Sequence, residues 1–97
     1  MRIAITRDVS PKLAECELSF LDRRPIDVVR AAEQLEGYRT ALRELGCYVV
    51  TLPGLDEFAD CVFVEDPAVV LDEVAILTHM GAESRRGESE SLASEIA

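Results

Sequence analysis

Asp60, Glu65 and Asp66 stand in the run Asp60-Cys61-Val62-Phe63-Val64-Glu65-Asp66-Pro67-Ala68-Val69-Val70, which is otherwise apolar enough for an internal strand. A carboxylate in such a segment needs a partner, because desolvating a lone charge is very expensive. Three of them need cations from within the domain, or they are there to receive one from outside. A guanidinium suits the second role, since its planar fork of N–H donors meets a carboxylate two bonds at a time. The alternative is internal salt bridging to Arg85, Arg86 or Arg7. On a regular strand Glu65 and Asp66 point to opposite faces, and a bulge at Pro67 would turn both toward one pocket.

The other chemistry-bearing side chains are few. Cys47 and Cys61 lie in apolar strand contexts, where burial raises the thiol pKa and makes cysteine inert. Cys16 sits between Glu15 and Glu17, which also disfavours a thiolate. The single histidine, His79, reads as a residue near solvent at a strand end rather than a catalytic base. No Cys-x-x-Cys pair or Cys/His spacing suggests a metal site, and no cofactor is implied.

These residues require a scaffold, and the sequence predicts an α/β one. Arg2–Thr6 reads as a first strand. Asp8–Arg24 has no clear period and reads as a long loop. Asp27–Leu45 is the clearest helix: Asp27 caps it, apolar residues recur at helical spacing from Val28 to Leu45, and Gly46 supplies the left-handed stop. Cys47–Leu52 is a second strand, giving a βαβ-type unit. Val62–Leu71 reads as an extended stretch broken at Asp66-Pro67, and Val74–Thr78 as a strand returning through Asp72-Glu73. A polar helix starts near Ser84.

The chain has 97 residues, room for one domain near the low end for a self-sufficient core. Its net charge of −9, from 19 acidic against 10 basic residues, makes nucleic acid a poor partner, and none is expected. No apolar run approaches the ~20 residues of a membrane span, and no signal-peptide pattern opens the chain. An odd count of three cysteines fits thiols in a reducing cytoplasm.

The run DCVFVEDPAVVLDEVAILT, the segment GAESRRGE from Gly81 to Glu88, and the opening Arg2-Ile3-Ala4-Ile5-Thr6-Arg7 closely resemble the N-terminal part of the dimethylarginine dimethylaminohydrolases. These belong to the guanidine-modifying superfamily, with arginine deiminases and amidinotransferases as relatives of different chemistry. The resemblance covers essentially the whole chain. It implies a pentein-like fold, a five-bladed α/β propeller of which residues 1–97 are a single partial domain of about one and a half ββαβ-type modules. It implies hydrolysis of methylated arginine to citrulline and a methylamine through a cysteine nucleophile and a covalent thiouronium-type intermediate. It places Asp66 against the substrate guanidinium, Asp60 and Glu65 nearer its amino-acid end, Arg85 on the α-carboxylate, and the backbone carbonyl of Leu18 on a mobile lid. All four charged residues are expected on one concave site. The family's cysteine, its histidine and a second binding arginine come later than residue 97, so no catalytic residue is expected here. The expected partners are a guanidino small molecule and either a second copy of the chain or the missing part of the fold; the alternative to an enzyme part is a non-catalytic, self-associating module.

Overall fold

The computed structural model describes residues 2–16, 22 and 25–96. The first half is a parallel βαβ unit. Strand β1 (Arg2–Arg7) pairs with β2 (Cys47–Leu52) in register from Arg2 opposite Cys47 to Arg7 opposite Leu52, and helix α1 (Val28–Glu44) makes the crossover. Asp27 caps α1 through Oδ1, which accepts from the Arg30 N–H at 3.1 Å. Gly46, at φ 90°, turns the chain from the helix into β2, a conformation that a Cβ penalises.

The helix is anchored by a charge. Its half-buried stripe runs through Val28, Ala31, Leu35 and Leu42, and its one fully buried residue is Arg39. Tyr38 and Ala41, which share the predicted apolar pattern, are exposed. Arg39 Nε donates to Thr6 Oγ1 at 2.8 Å, and its Nη1 donates to Asp8 and Glu36, each at 2.8 Å. Thr6 Oγ1 in turn donates to the Val50 carbonyl at 3.0 Å, which ties α1 to both strands. Burial works against the Arg39 charge, and the hydrogen bonds from Glu36 and Asp8 more than offset it, so its pKa is raised. The next residue, Arg7, faces the other way, as alternation along a strand requires. Its Nη1 donates to the Pro53 carbonyl at 2.8 Å and to Glu95 at 3.2 Å.

The second half departs from the sequence reading. The predicted strand Val62–Leu71 is extended only at β3 (Ala68–Val70), which pairs antiparallel with β4 (Ala75–Leu77). The stretch before it is a series of turns. Successive N–H groups of Phe58, Cys61, Phe63 and Asp66 each reach back three residues to a carbonyl. An apolar run becomes a strand only when a neighbouring strand accepts its ladder, and none lies beside Val62–Val64 among the described residues. Pro67 sits just before β3. Its carbonyl accepts from the Thr78 N–H at 2.9 Å, and Ser89 Oγ donates to the Thr78 carbonyl at 2.7 Å, so the hairpin is stitched to helix α2 (Glu88–Ile96). A short 3₁₀ turn, Glu83–Arg85, precedes α2, and another, Leu13–Glu15, lies within the predicted long loop.

Gly87 enters α2 against the Phe58 ring. A Cβ there would lie 2.4 Å from the ring edge, closer than any real contact. No helix among the described residues is long and apolar enough to cross a membrane.

Replacing the α1 cap, Asp27→Ala, is expected to lower stability by about 1 kcal/mol, because the Arg30 N–H loses its acceptor. Urea denaturation followed by circular dichroism checks this; an unchanged midpoint would show that the cap contributes nothing.

Candidate functional site: a caged arginine beside the acidic run

The turns from Asp60 to Asp66 wrap around one side chain. Arg85 leaves the 3₁₀ turn before α2 and reaches into them. Its Nη2 lies 3.3 Å from the Asp60 carbonyl and 3.5 Å from that of Phe63. Its Nη1 donates to Asp66 Oδ2 at 2.9 Å. Its Nε and Nη2 donate to the two oxygens of Glu88, at 2.9 and 3.0 Å. The spacing explains the last pair, since residues three apart share a helix face. Burial opposes the charge on Arg85, but hydrogen bonds to Glu88 and Asp66 outweigh it, as does the field of Asp60. The pKa is raised well above the ordinary guanidinium range, so Arg85 stays ionised at any accessible pH.

The structure thus brings Asp60, Asp66 and Arg85 together. The internal salt bridge that the sequence left open as an alternative is formed between Asp66 and Arg85. Asp60 is buried and borders a cleft of about 240 Å³ lined by Lys12, Glu15, Glu57, Ala59 and Ser84. Glu65 goes elsewhere. It lines an apolar cavity of about 360 Å³ with Ile3, Ile5, Tyr38, Val64 and Leu92. Asp60 and Glu65 therefore border different cavities, and Pro67 does not turn Glu65 and Asp66 into one. Leu18 lies outside the described residues. Arg86 is exposed, and its side chain donates to the Met80 and Gly81 carbonyls, at 3.1 and 3.3 Å, which separates it from Arg85 in role.

Glu88 was missed in reading the sequence. It looked like one more acid in a polar helix, although an acid three residues after an arginine at a helix start is a recognisable pairing signal.

The three cysteines sit in structural settings. Cys16 is buried and Cys47 is half-buried in β2. Cys61 is buried, its Sγ accepting from the Leu55 N–H at 3.3 Å and facing the Asp8 carbonyl at 3.5 Å. Burial pushes its pKa up, and the Leu55 N–H offsets this only in part. His79 is exposed just after β4. No group of three metal-ligating side chains occurs among the described residues.

No family model matches the chain. Curated relatives do, two dimethylarginine dimethylaminohydrolases among them. The N(G),N(G)-dimethylarginine dimethylaminohydrolase of Streptomyces coelicolor is 38% identical over 94 residues, covering 97% of this chain and 36% of that protein. The enzyme of the same name from Pseudomonas aeruginosa is 45% identical over 64 residues, 66% of this chain and 25% of that protein. Solved structures agree. A dimethylarginine dimethylaminohydrolase histidine-to-glycine variant, as its adduct with S-methyl-L-thiocitrulline, superposes with a TM-score of 0.89 at 36% identity over 99% of this chain. A cysteine-to-serine variant of the Pseudomonas aeruginosa enzyme complexed with citrulline gives 0.88 at 35% identity. Over nearly its whole length the chain is similar to part of the dimethylarginine dimethylaminohydrolases. It spans 36% of the Streptomyces protein and 38% of each of these two solved chains.

The Cys61 thiol gives a pH-dependent expectation. The folded chain prefers the neutral thiol, so this contribution is complete below the unfolded-chain range and is lost as pH rises past about 9. Urea midpoints between about pH 7 and 10 should fall further for the wild type than for Cys61→Ala. Equal falls would show that Cys61 does not titrate on unfolding.

Proposed function

We propose that this chain is the substrate-binding portion of a dimethylargininase-like amidinohydrolase, an enzyme acting on the non-peptide C–N bond of a methylated arginine to release citrulline and a methylamine. The observation that carries the reading is the caged Arg85–Asp66 pair in a chain so similar to solved dimethylarginine dimethylaminohydrolases, among them one complexed with citrulline. In this reading Asp66 receives the substrate guanidinium, Arg85 its α-carboxylate, and Asp60 and the Leu18 carbonyl its remaining polar groups, while Glu65, which lines the apolar cavity, takes no part. The nucleophilic cysteine belongs to a part of the fold outside this chain, which agrees with the buried or strand-bound settings of Cys16, Cys47 and Cys61. No cofactor is required, and the setting is a reducing cytoplasm.

Residues 1–97 form one partial domain of a five-bladed α/β propeller in this proposal. Support comes from the apolar surface left open: Val69, Val70, Leu71, Val74, Ile76 and Leu77 of the β3–β4 hairpin are all exposed. Such a surface needs a cover. The remainder of the propeller fits that role, and a second copy of the chain is the other reading that the same surface supports.

Calorimetric titration of the purified chain with dimethylarginine, beside an assay for citrulline, tests the proposal. Binding without citrulline release is expected. Asp66→Ala should weaken that binding by about 1.5–3 kcal/mol, the range for a hydrogen bond to a charged group. Absence of binding would refute the substrate assignment. Citrulline release that disappears when Cys16, Cys47 and Cys61 are changed to serine would place the nucleophile within the chain, since losing a nucleophile costs on the order of 10⁶ in turnover.

A further inference from the structure

Among the described residues, the carboxylates of Glu88 and Asp66 accept hydrogen bonds from Arg85, and they differ in every property that decides which can let go. Glu88 is 3% exposed and takes two hydrogen bonds, from Nε and Nη2 at 2.9 and 3.0 Å. Asp66 is 46% exposed and takes one, from Nη1 at 2.9 Å. A bidentate pair fixes the plane of the guanidinium as well as its position. Separating Glu88 from Arg85 would leave a carboxylate uncompensated inside the protein. Separating Asp66 leaves a carboxylate that water can solvate, and exposed ion pairs contribute little. The Asp60 and Phe63 carbonyls lie on the Nη2 side too, at 3.3 and 3.5 Å, so the inner side of the guanidinium is enclosed and Nη1 points to the exposed partner.

We infer that Glu88 is the positioning residue of this site: it clamps the Nε–Nη2 edge of Arg85 inward, and Asp66 is the exchangeable partner on Nη1. The inference rests on the reading of Arg85 as the group that meets the ligand's carboxylate. It deepens that reading by stating how a paired site can accept a ligand. A molecule carrying both a guanidinium and a carboxylate replaces the Asp66–Arg85 contact by two others: its cation takes Asp66, and its anion takes the released N–H of Arg85. The charge balance of the site is kept. A guanidinium without a carboxylate has to part the same pair and leaves the Arg85 Nη1 without an anion. The site therefore selects zwitterionic guanidino acids over plain guanidines, and the selection needs Glu88 to keep Arg85 from following Asp66.

Nitrogen-15 NMR of the arginine side chains in the 97-residue chain reads the clamp directly. The Arg85 Nε–H should exchange with water at least ten-fold more slowly than that of exposed Arg30. Asp66→Asn should leave this protection in place, whereas Glu88→Gln should remove most of it. Protection that survives Glu88→Gln, or that Asp66→Asn removes equally, overturns the inference. If Glu88→Gln does not fold, the wild type still decides, because an Arg85 Nε–H exchanging as fast as that of Arg30 refutes the clamp. In the same samples dimethylarginine should bind at least ten-fold more tightly than N,N-dimethylguanidine, and Glu88→Gln should reduce that ratio. Equal binding of the two refutes the selection. Protection that depends on Glu88 while dimethylarginine fails to bind upholds the clamp and refutes the assignment of Arg85 to the ligand.

Discussion

Three enclosed guanidinium groups hold this small domain together. The buried hydrophobic residues of the core are few: Leu13, Cys16, Cys61, Ala68 and Leu92 among those described. The two largest fully buried side chains are Arg7 and Arg39. Each of the three arginines joins elements that apolar contact alone would leave loose. Arg39 fixes α1 to β1, Arg7 fixes α2 to the end of β2, and Arg85 gathers the turns of the acidic run around the start of α2. A buried guanidinium needs partners for most of its donors, so each dictates the placement of carboxylates and carbonyls around it, although Nη2 of Arg39 is buried without one. The acidic surplus of the chain is in part the complement of these cations.

This arrangement also explains the shape of the site. The segment from Asp60 to Asp66 has the composition of a strand and the conformation of a coil of turns. Its carbonyls are spent on i-to-i−3 bonds and on Arg85, not on a ladder. The turns bring Asp60 and Asp66 to one guanidinium and send Glu65 to the apolar cavity under β1. Stitching by Thr78 and Ser89 then couples the hairpin to α2, so Asp66 and Glu88 approach Arg85 from elements fixed relative to each other.

The features legible in the sequence are those set by local rules. The span and cap of α1, the stop at Gly46 and strand β2 follow from periodicity, an aspartate and a glycine, each acting within a few residues. The strand predicted over Val62–Val64 failed because β-branched composition describes a residue that fits a half-buried pleat, whereas a ladder needs a neighbour that only the tertiary fold supplies. Arg39 escaped notice because it stands in the apolar stripe of α1 at a position where a leucine would have been expected; nothing local reveals that Thr6, Asp8 and Glu36 converge on it. At the site, charge alone called for an arginine beside the acidic run and left Arg85, Arg86 and Arg7 open. The partition of Arg85 between Glu88 and Asp66 was not legible, since it depends on which carboxylate the fold closes over.

The contact between Gly87 and the Phe58 ring ties two distant positions into one unit of inheritance. Neither can change size alone without disturbing the entry to α2 and, one residue on, the carboxylate that grips Arg85. A side chain at 87 becomes tolerable when the ring at 58 has shrunk or turned aside. Lineages that drift at this spot should therefore do so by paired replacement, passing through whichever intermediate opens a gap and not through the one that forces a collision.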